Sequence, residues 1–238
     1  MKQLSELKVK IFADGADKAR MIEFYKNPLI KGFTTNLTLM RQAGVRDYRA
    51  FAKEVIRAIP DRPISFEVLS DDFTEMERQA LEIAGWGDNI YVKIPITNTH
   101  EQPSGALVQR LAQFGIKQNV TALLTLDQVR NISISLADGP SSFVSVFAGR
   151  VADTGRDPMP LMAAAVEVLR PYPNLELIWA SPRELFNIFQ ADAVGCHIIT
   201  VTHDILIKLN LIGKDLHDYS LDTVEMFYKD AQEAKYIL

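Results

Sequence analysis

Asn89-Ile90-Tyr91-Val92-Lys93-Ile94-Pro95-Ile96-Thr97 is a short apolar run with a single lysine at its centre. Val92, Ile94 and Ile96 are β-branched, and Asp88 and Asn89 stop the run at its start, so the stretch predicts a buried strand. A lysine is almost never fully buried without a partner. Removal from water favours the neutral amine, which can attack a carbonyl and form a Schiff base. The alternative is a strand-end lysine that carries its ammonium out to water on an apolar stem. The stretch by itself leaves both readings open.

Outward from it, strand-like and helix-like segments alternate. Upstream, residues 8–13 read as a strand ending at Asp14, and Asp17 caps a helical stretch through Met21, Ile22, Phe24 and Tyr25. Residues 32–35 form a short strand before Asn36, and a helical pattern over 37–59 is broken by Gly44 and closed by Pro60. Residues 63–68 make a third strand, after which Asp71-Asp72 opens a helix carrying Met76, Ala80, Leu81 and Ile83. Downstream, helices are expected at 106–114, 126–136, 161–169, 184–190 and 203–209, the last capped by His203 and Asp204. Between them fall strands at 117–122, 142–148, 175–180 and 196–201, and a polar segment covers 153–158. About eight strand–helix units is the count that closes a parallel barrel, so the fold class is α/β, a parallel (β/α)8 TIM barrel forming a single domain over 1–238. Residues 217–236 are an appended C-terminal helix with Val224, Phe227, Tyr228, Ala231 and Ala234 at helical spacing. It either packs back on its own chain or crosses to a neighbour.

Composition excludes several functions. A hydrophobic content of 47% with 24% charged residues is that of an ordinary globular protein. A net charge of -4 with scattered Lys and Arg argues against nucleic acid or an anionic membrane surface as partner. Cys196 is the single cysteine, which rules out an intrachain disulfide and reads as a small core residue. His100, His197, His203 and His217 share no metal-ligand spacing, and no G-x-G-x-x-G or G-K-[ST] cradle occurs, so no cofactor and no metal are expected. The N-terminal residues lack a signal-peptide core and no apolar run reaches about 18 residues, so a cytoplasmic protein is expected.

In a parallel barrel the chemistry sits where the strands end at the C-terminal mouth. Those ends carry Asp14, Thr35, Asn36, Glu67, Lys93, Asn119, Thr121, Ser145, Arg150, Ser181 and Arg183. An iminium on Lys93 is an electron sink for breaking a neighbouring carbon–carbon bond, and Asp14 and Glu67 can handle the protons such a step moves. Arg150 and Arg183 with the Ser181 hydroxyl suit a terminal anion, and Asn36, Asn119 and Ser145 suit sugar hydroxyls. Singly, Asp14 and Asn36 also read as helix caps, and each arginine as a surface ion-pair partner.

With these residues assembled, the chain resembles the transaldolase family, Schiff-base aldolases that include fructose-6-phosphate aldolase. The resemblance rests on Val92-Lys93-Ile94-Pro95-Ile96-Thr97, Asp14, Thr34-Thr35-Asn36, Asn119-Val120-Thr121, Phe147-Ala148-Gly149-Arg150 and Ala180-Ser181-Pro182-Arg183, in this order along the chain. It implies a metal-independent transferase of carbohydrate metabolism acting on anionic sugars. Lys93 would form the Schiff base, Asp14 would handle the proton at the cleaved carbon, and Glu67 with Thr121 would position water. Asn36, Asn119 and Ser145 would bind the dihydroxyacetone part, Thr35 and Phe147 would also be substrate-binding, and Arg150, Ser181 and Arg183 would take the terminal anion. Glu67 and Phe147 stand where free aldolases of the family carry glutamine and tyrosine, which implies transfer rather than release. Leu37, Val146 and Pro182 depart from the family pattern, and Pro182 lies in the presumed anion pocket, where a sulfonated sugar is an alternative to a phosphate. Short members of the family assemble as rings through the terminal helix, which implies a homo-oligomer.

Overall fold

The computed structural model describes residues 3–236. Eight strands form one closed, parallel barrel in chain order: β1 Lys10–Asp14, β2 Ile30–Thr34, β3 Ile64–Glu67, β4 Ile90–Pro95, β5 Gln118–Leu123, β6 Ser142–Val146, β7 Leu175–Trp179 and β8 Ile198–Thr202. β1 closes the ring on β8, from Lys10 opposite Ile198 to Asp14 opposite Thr202. Helix α1 (Lys18–Tyr25) follows β1, and α2 (Leu37–Gln42) and α3 (Tyr48–Ala58) follow β2. Next come α4 (Phe73–Ala84), α5 (Gly105–Gln113) and α6 (Leu126–Leu136), each after one strand. β6 is followed by α7 (Ala148–Asp153) and α8 (Met159–Leu169), β7 by α9 (Phe186–Ala193), and β8 by α10 (His203–Leu206) and finally α11 (Leu216–Ala234). Several helices start soon after a strand end because a polar side chain caps them: Asp17 accepts from the Arg20 amide, Asn36 from Leu39 and Asp72 from Glu75. Each such cap is worth about 1 kcal/mol.

Strand alternation divides the core in two. On β4, Val92 and Ile94 join the outer layer between strands and helices, whereas Tyr91 joins an inner cluster with Phe12, Phe143, Ile178 and Ile198. Tyr91 stacks on Phe143 at 4.0 Å, and Phe12 meets Phe143 edge-on at 5.7 Å. The Phe12 ring reaches across to β2, where a Cβ on Gly32 would lie 2.5 Å from it, so the plug needs glycine there. With a period of two residues, Lys93 shares the inner face of Tyr91. The aromatic plug fills the barrel beneath it, and free space lies toward the C-terminal mouth.

Three local expectations need correction. The strand expected over 142–148 stops at Val146, and Ala148 already begins α7. The helix expected over 203–209 is α10 followed by a 3-10 turn, Ile207–Leu211. His203 does not cap it: Thr202 holds the cap position, and the His203 ring packs on Phe24 at 5.3 Å. The appended helix is present as α11, yet none of its residues is buried, so it does not pack back on its own barrel. Among the described residues no helix is long and apolar enough to cross a membrane.

Candidate active site

Strand register sets the floor of the mouth. Glu67 on β3, Lys93 on β4 and Asn119 on β5 lie opposite one another in a row, and Asp14 on β1 lies opposite Thr34 on β2. Lys93 is 6% exposed, so the ammonium does not reach out to water as the alternative reading required. Its Nζ donates to the Thr35 carbonyl at 2.9 Å and stands 3.6 Å from Glu67 Oε2. The Asp14 carboxyl shares the cleft: burial pushes it up, and this outweighs the nearby Lys93 charge, which pulls it down. The net result holds Asp14 above its usual value, with the nearby Glu67 adding to the rise. Asp14 Oδ1 also accepts a 2.7 Å hydrogen bond from the Thr34 hydroxyl, which in turn meets the hydroxyl of Thr200 on β8.

On the other side of the lysine, the Asn119 amide is held at both ends. Its Nδ2 donates to Ser65 Oγ at 2.9 Å, and its Oδ1 accepts from Ser145 Oγ at 2.7 Å. This network fixes the amide orientation and links β3, β5 and β6 beside the amine. Thr121 Oγ1 is buried and has no hydrogen-bond partner among the described residues. An unpaired buried hydroxyl costs about 1–3 kcal/mol, a penalty removed when a water or a ligand oxygen stands beside it. Just past it, Ala122 has φ 66°, and the register between β5 and β6 shifts between Val120 and Leu123. The irregularity ends the regular ladder at the mouth.

The rim above β6 and β7 is built by α7 and the turn after β7. Ser181 is left-handed at φ 60°, and a Cβ on Gly149 would lie 1.5 Å from the Ser181 carbonyl oxygen. The two segments therefore touch backbone to backbone, and only glycine fits. Gly149→Ala is expected to cost more than about 2 kcal/mol through overpacking, a fall of about 4–8 °C in Tm for a chain of this size. Thermal unfolding followed by circular dichroism checks this, and an unchanged Tm would mean that the two segments part freely. Around this contact, the Arg183 guanidinium forms an ion pair with Asp153, and the Arg150 guanidinium lies 5.7 Å from the Phe147 ring.

The expected site residues converge on one cleft of about 730 Å³, with a single exception. Thr35 is fully buried outside it, and its hydroxyl donates to the Ser65 carbonyl. Thr34 takes its place in the lining, because Phe33 belongs to the outer core and strand alternation turns the preceding-odd positions out and Thr34 in. Asn36 lines the cleft while also capping α2. Thr200, Thr202 and Gln42, which carry no expectation from sequence, also line it, as does Asp204, expected only as a helix cap. Counting every second residue back from the end of β8 would have found the two threonines.

The arrangement can hold a carbonyl compound against a buried amine, with the carboxyls of Asp14 and Glu67 and the guanidiniums of Arg150 and Arg183 lining the same cleft. Comparison with known proteins follows the same line. A family model described as Transaldolase/Fructose-6-phosphate aldolase matches residues 11–237. A protein named "Probable transaldolase" from Methanococcus maripaludis is 33% identical over 223 residues, covering 90% of this chain and 99% of that protein. Another of the same name from Dehalococcoides mccartyi is 31% identical over 202 residues, covering 84% of this chain and 90% of that one. Among solved structures, KGPDC from Streptococcus mutans superposes with a TM-score of 0.57 over 84% of this chain and 90% of that chain. At 10% identity this likeness concerns the barrel fold alone.

Proposed function

Since the chain belongs to the transaldolase/fructose-6-phosphate aldolase family, we propose that it moves a dihydroxyacetone unit from an anionic ketose to an aldehyde acceptor through a Schiff base on Lys93. The observation that carries this reading is the seat of Lys93: buried, aimed at the mouth, and placed between a backbone carbonyl and the carboxylate of Glu67. The amine adds to the C2 carbonyl of the ketose. Glu67 and the unpartnered Thr121 hydroxyl hold the water that leaves as the iminium forms and returns when it is hydrolysed. Asp14 takes the proton from the C4 hydroxyl, the C3–C4 bond breaks, and the electron pair is stored as an enamine. Asn119 and Ser145 hold the hydroxyls of the three-carbon unit while the first aldehyde leaves and the acceptor enters. Protonated Asp14 then returns its proton to the new C4 oxygen as the reverse bond forms.

Glu67 and Phe147 favour transfer over release, by their resemblance to transaldolases at those positions. The test is to supply fructose 6-phosphate with and without an aldehyde acceptor such as erythrose 4-phosphate. Transfer is expected only with the acceptor. Dihydroxyacetone accumulating without one would assign a stand-alone aldolase, and an aldose product with all its carbons would assign a non-covalent isomerase.

The same reading includes a homo-oligomer. α11 leaves Leu216, Phe227 and Tyr228 more than half exposed, at 79%, 62% and 69%, on a helix that buries nothing on its own barrel. A second copy that covers this helix would supply the missing contacts. Ending the chain before His217 is expected to lower the mass measured by light scattering to that of the monomer. An unchanged mass would remove α11 from the assembly.

A further inference from the structure

Asp14 rests on a buried row of two hydroxyls that the proposed chemistry leaves unused. The Thr34 hydroxyl on β2 donates to Asp14 Oδ1 at 2.7 Å, and the Thr200 hydroxyl on β8 stands against Thr34. Strand register builds the row. Asp14 lies opposite Thr34 on one neighbouring strand and Thr202 on the other, and Thr200, opposite Phe12, is one inward-facing step below. Thr34 and Thr200 are 3% and 5% exposed, so the row is shielded from bulk water.

A buried hydroxyl pair could serve packing alone, but the count of hydrogens ties this one to the carboxylate. A hydroxyl has one hydrogen to give and two lone pairs with which to accept. An ionised carboxylate only accepts, so Thr34 gives its hydrogen to Asp14 Oδ1. That leaves Thr200 as the donor to Thr34, and Thr200 makes no other side-chain hydrogen bond among the described residues. The row therefore runs one way, from Thr200 through Thr34 to Asp14. A hydroxyl that accepts while it donates is the stronger donor, because each bond polarises the next. Among the described residues no hydrogen bond engages Asp14 Oδ2, and Asp14 lines the cleft, so this second oxygen is left for substrate.

We propose that Thr200 is a positioning residue for the proton transfer at C4: acting through Thr34, it pins Oδ1 of Asp14 and leaves Oδ2 to face the reacting hydroxyl. The proposal rests on the transaldolase reading for the identity of that hydroxyl. It also explains how a carboxyl raised by burial still serves as a base. The Thr34 bond and the Lys93 charge both work against the burial, while Glu67 adds to the rise. The other titratable groups beside Asp14 are Asp17, Arg20, His203 and Asp204, which line the cavity on its α1 side. Removing the Thr200 hydroxyl changes none of these charges.

Valine keeps the shape of threonine and lacks the hydroxyl. In Thr200→Val, kcat for transfer from fructose 6-phosphate is expected to fall about tenfold with KM within about twofold, and the acid limb of the pH–rate profile to move to higher pH. Thr200→Ala is expected to do the same and stands in if the valine variant does not fold. Thr200→Ser restores a hydroxyl and is expected to recover kcat to within about threefold of the natural chain. In an Asp14→Asn background, Thr200→Val is expected to cost less than about twofold more, since both act on one group. A carbon-13 NMR titration of the Asp14 carboxyl, whose resonance is identified by its loss in Asp14→Asn, reads the effect without turnover. Its midpoint is expected to rise in Thr200→Val and Thr200→Ala and to return in Thr200→Ser. The proposal is overturned if kcat and midpoint stay unchanged, if serine recovers neither, or if valine costs as much in the Asp14→Asn background as in the natural chain. Trapping of dihydroxyacetone on Lys93 reports separately on the Schiff base, so a failed hydroxyl row and a failed mechanism give different results.

Discussion

Lys93→Met is expected to leave a folded barrel whose turnover has dropped by at least about 10⁴-fold, the scale on which loss of a covalent nucleophile acts. Neither of the other strand lysines, nor the one flanking β5, can substitute. Lys31 on β2 points out and is exposed, Lys10 lies at the start of β1, paired with Glu176 at 2.6 Å, and Lys117 stands just before β5 with its amine on the Asp88 carbonyl at 2.7 Å. Lys10 and Lys117 belong to the opposite end of the barrel. Methionine fills nearly the same volume above the Tyr91–Phe143 stack. The substitution removes one hydrogen bond to the Thr35 carbonyl and one partner of Glu67, but it also removes a buried amine from a poorly solvated site. These effects oppose each other, and the Tm is expected to stay within about 4 °C, the shift that 1 kcal/mol produces in a chain of this size. Steady-state assays beside circular dichroism melts check both parts. Turnover retained at a tenth of the original rate would remove Lys93 from the chemistry.

Asp14→Asn is expected to lower kcat by about 10²–10⁴-fold, the usual range for a positioned proton-transfer group, while leaving Schiff-base formation with dihydroxyacetone intact. The amide oxygen can still accept from Thr34, so the surroundings are kept and the base alone is lost. Burial holds the Asp14 carboxyl above its ordinary value of 3.8. The acid limb of the pH–rate profile is therefore expected above the normal aspartate range, and to be absent in the variant. Stability follows the same shift with a definite sign. Because the folded state binds the Asp14 proton more tightly than the unfolded chain, stability falls as pH rises from 3.8 to the raised value. Above that window the ionised carboxylate is a constant burden on the fold. Asp14→Asn is accordingly expected to melt higher than the natural chain at pH 7, with the difference closing as pH falls below 3.8. Equal melting at pH 7 would mean that Lys93 and Thr34 fully offset the burial.

Much of this site was visible in the sequence because strands have a period of two. A lysine between Val92 and Ile94 must face away from them, and the only other face of a barrel strand is its interior. Glu67, Asn119 and Ser145 follow from the same rule on their own strands. The rule misled at Thr34-Thr35, where adjacent threonines take opposite faces and the outer one was chosen. Register decides there, and register comes from the closure of the whole ring, which no single stretch contains. Helix α7 went unseen for a related reason. Its first turn contains Gly149, a poor helix former, and the requirement for glycine comes from the Ser181 carbonyl packed against it. The Asp153–Arg183 pair spans 30 positions and depends on that same contact. α11 was legible by its apolar spacing, with an expected span of 217–236 against the observed Leu216–Ala234. Where its apolar side chains go was not, since a helical pattern reads the same whichever barrel it meets.

The central claim, a Schiff base on Lys93, is tested most directly by borohydride reduction. The chain is incubated with fructose 6-phosphate and, separately, with dihydroxyacetone, then reduced and analysed by intact and peptide mass spectrometry. A stable three-carbon adduct on the peptide holding Lys93 is expected from both. An adduct from dihydroxyacetone alone would keep the chemistry and place the failure at the anion pocket around Arg150 and Arg183. No adduct from either, with the barrel still folded, would contradict the covalent mechanism.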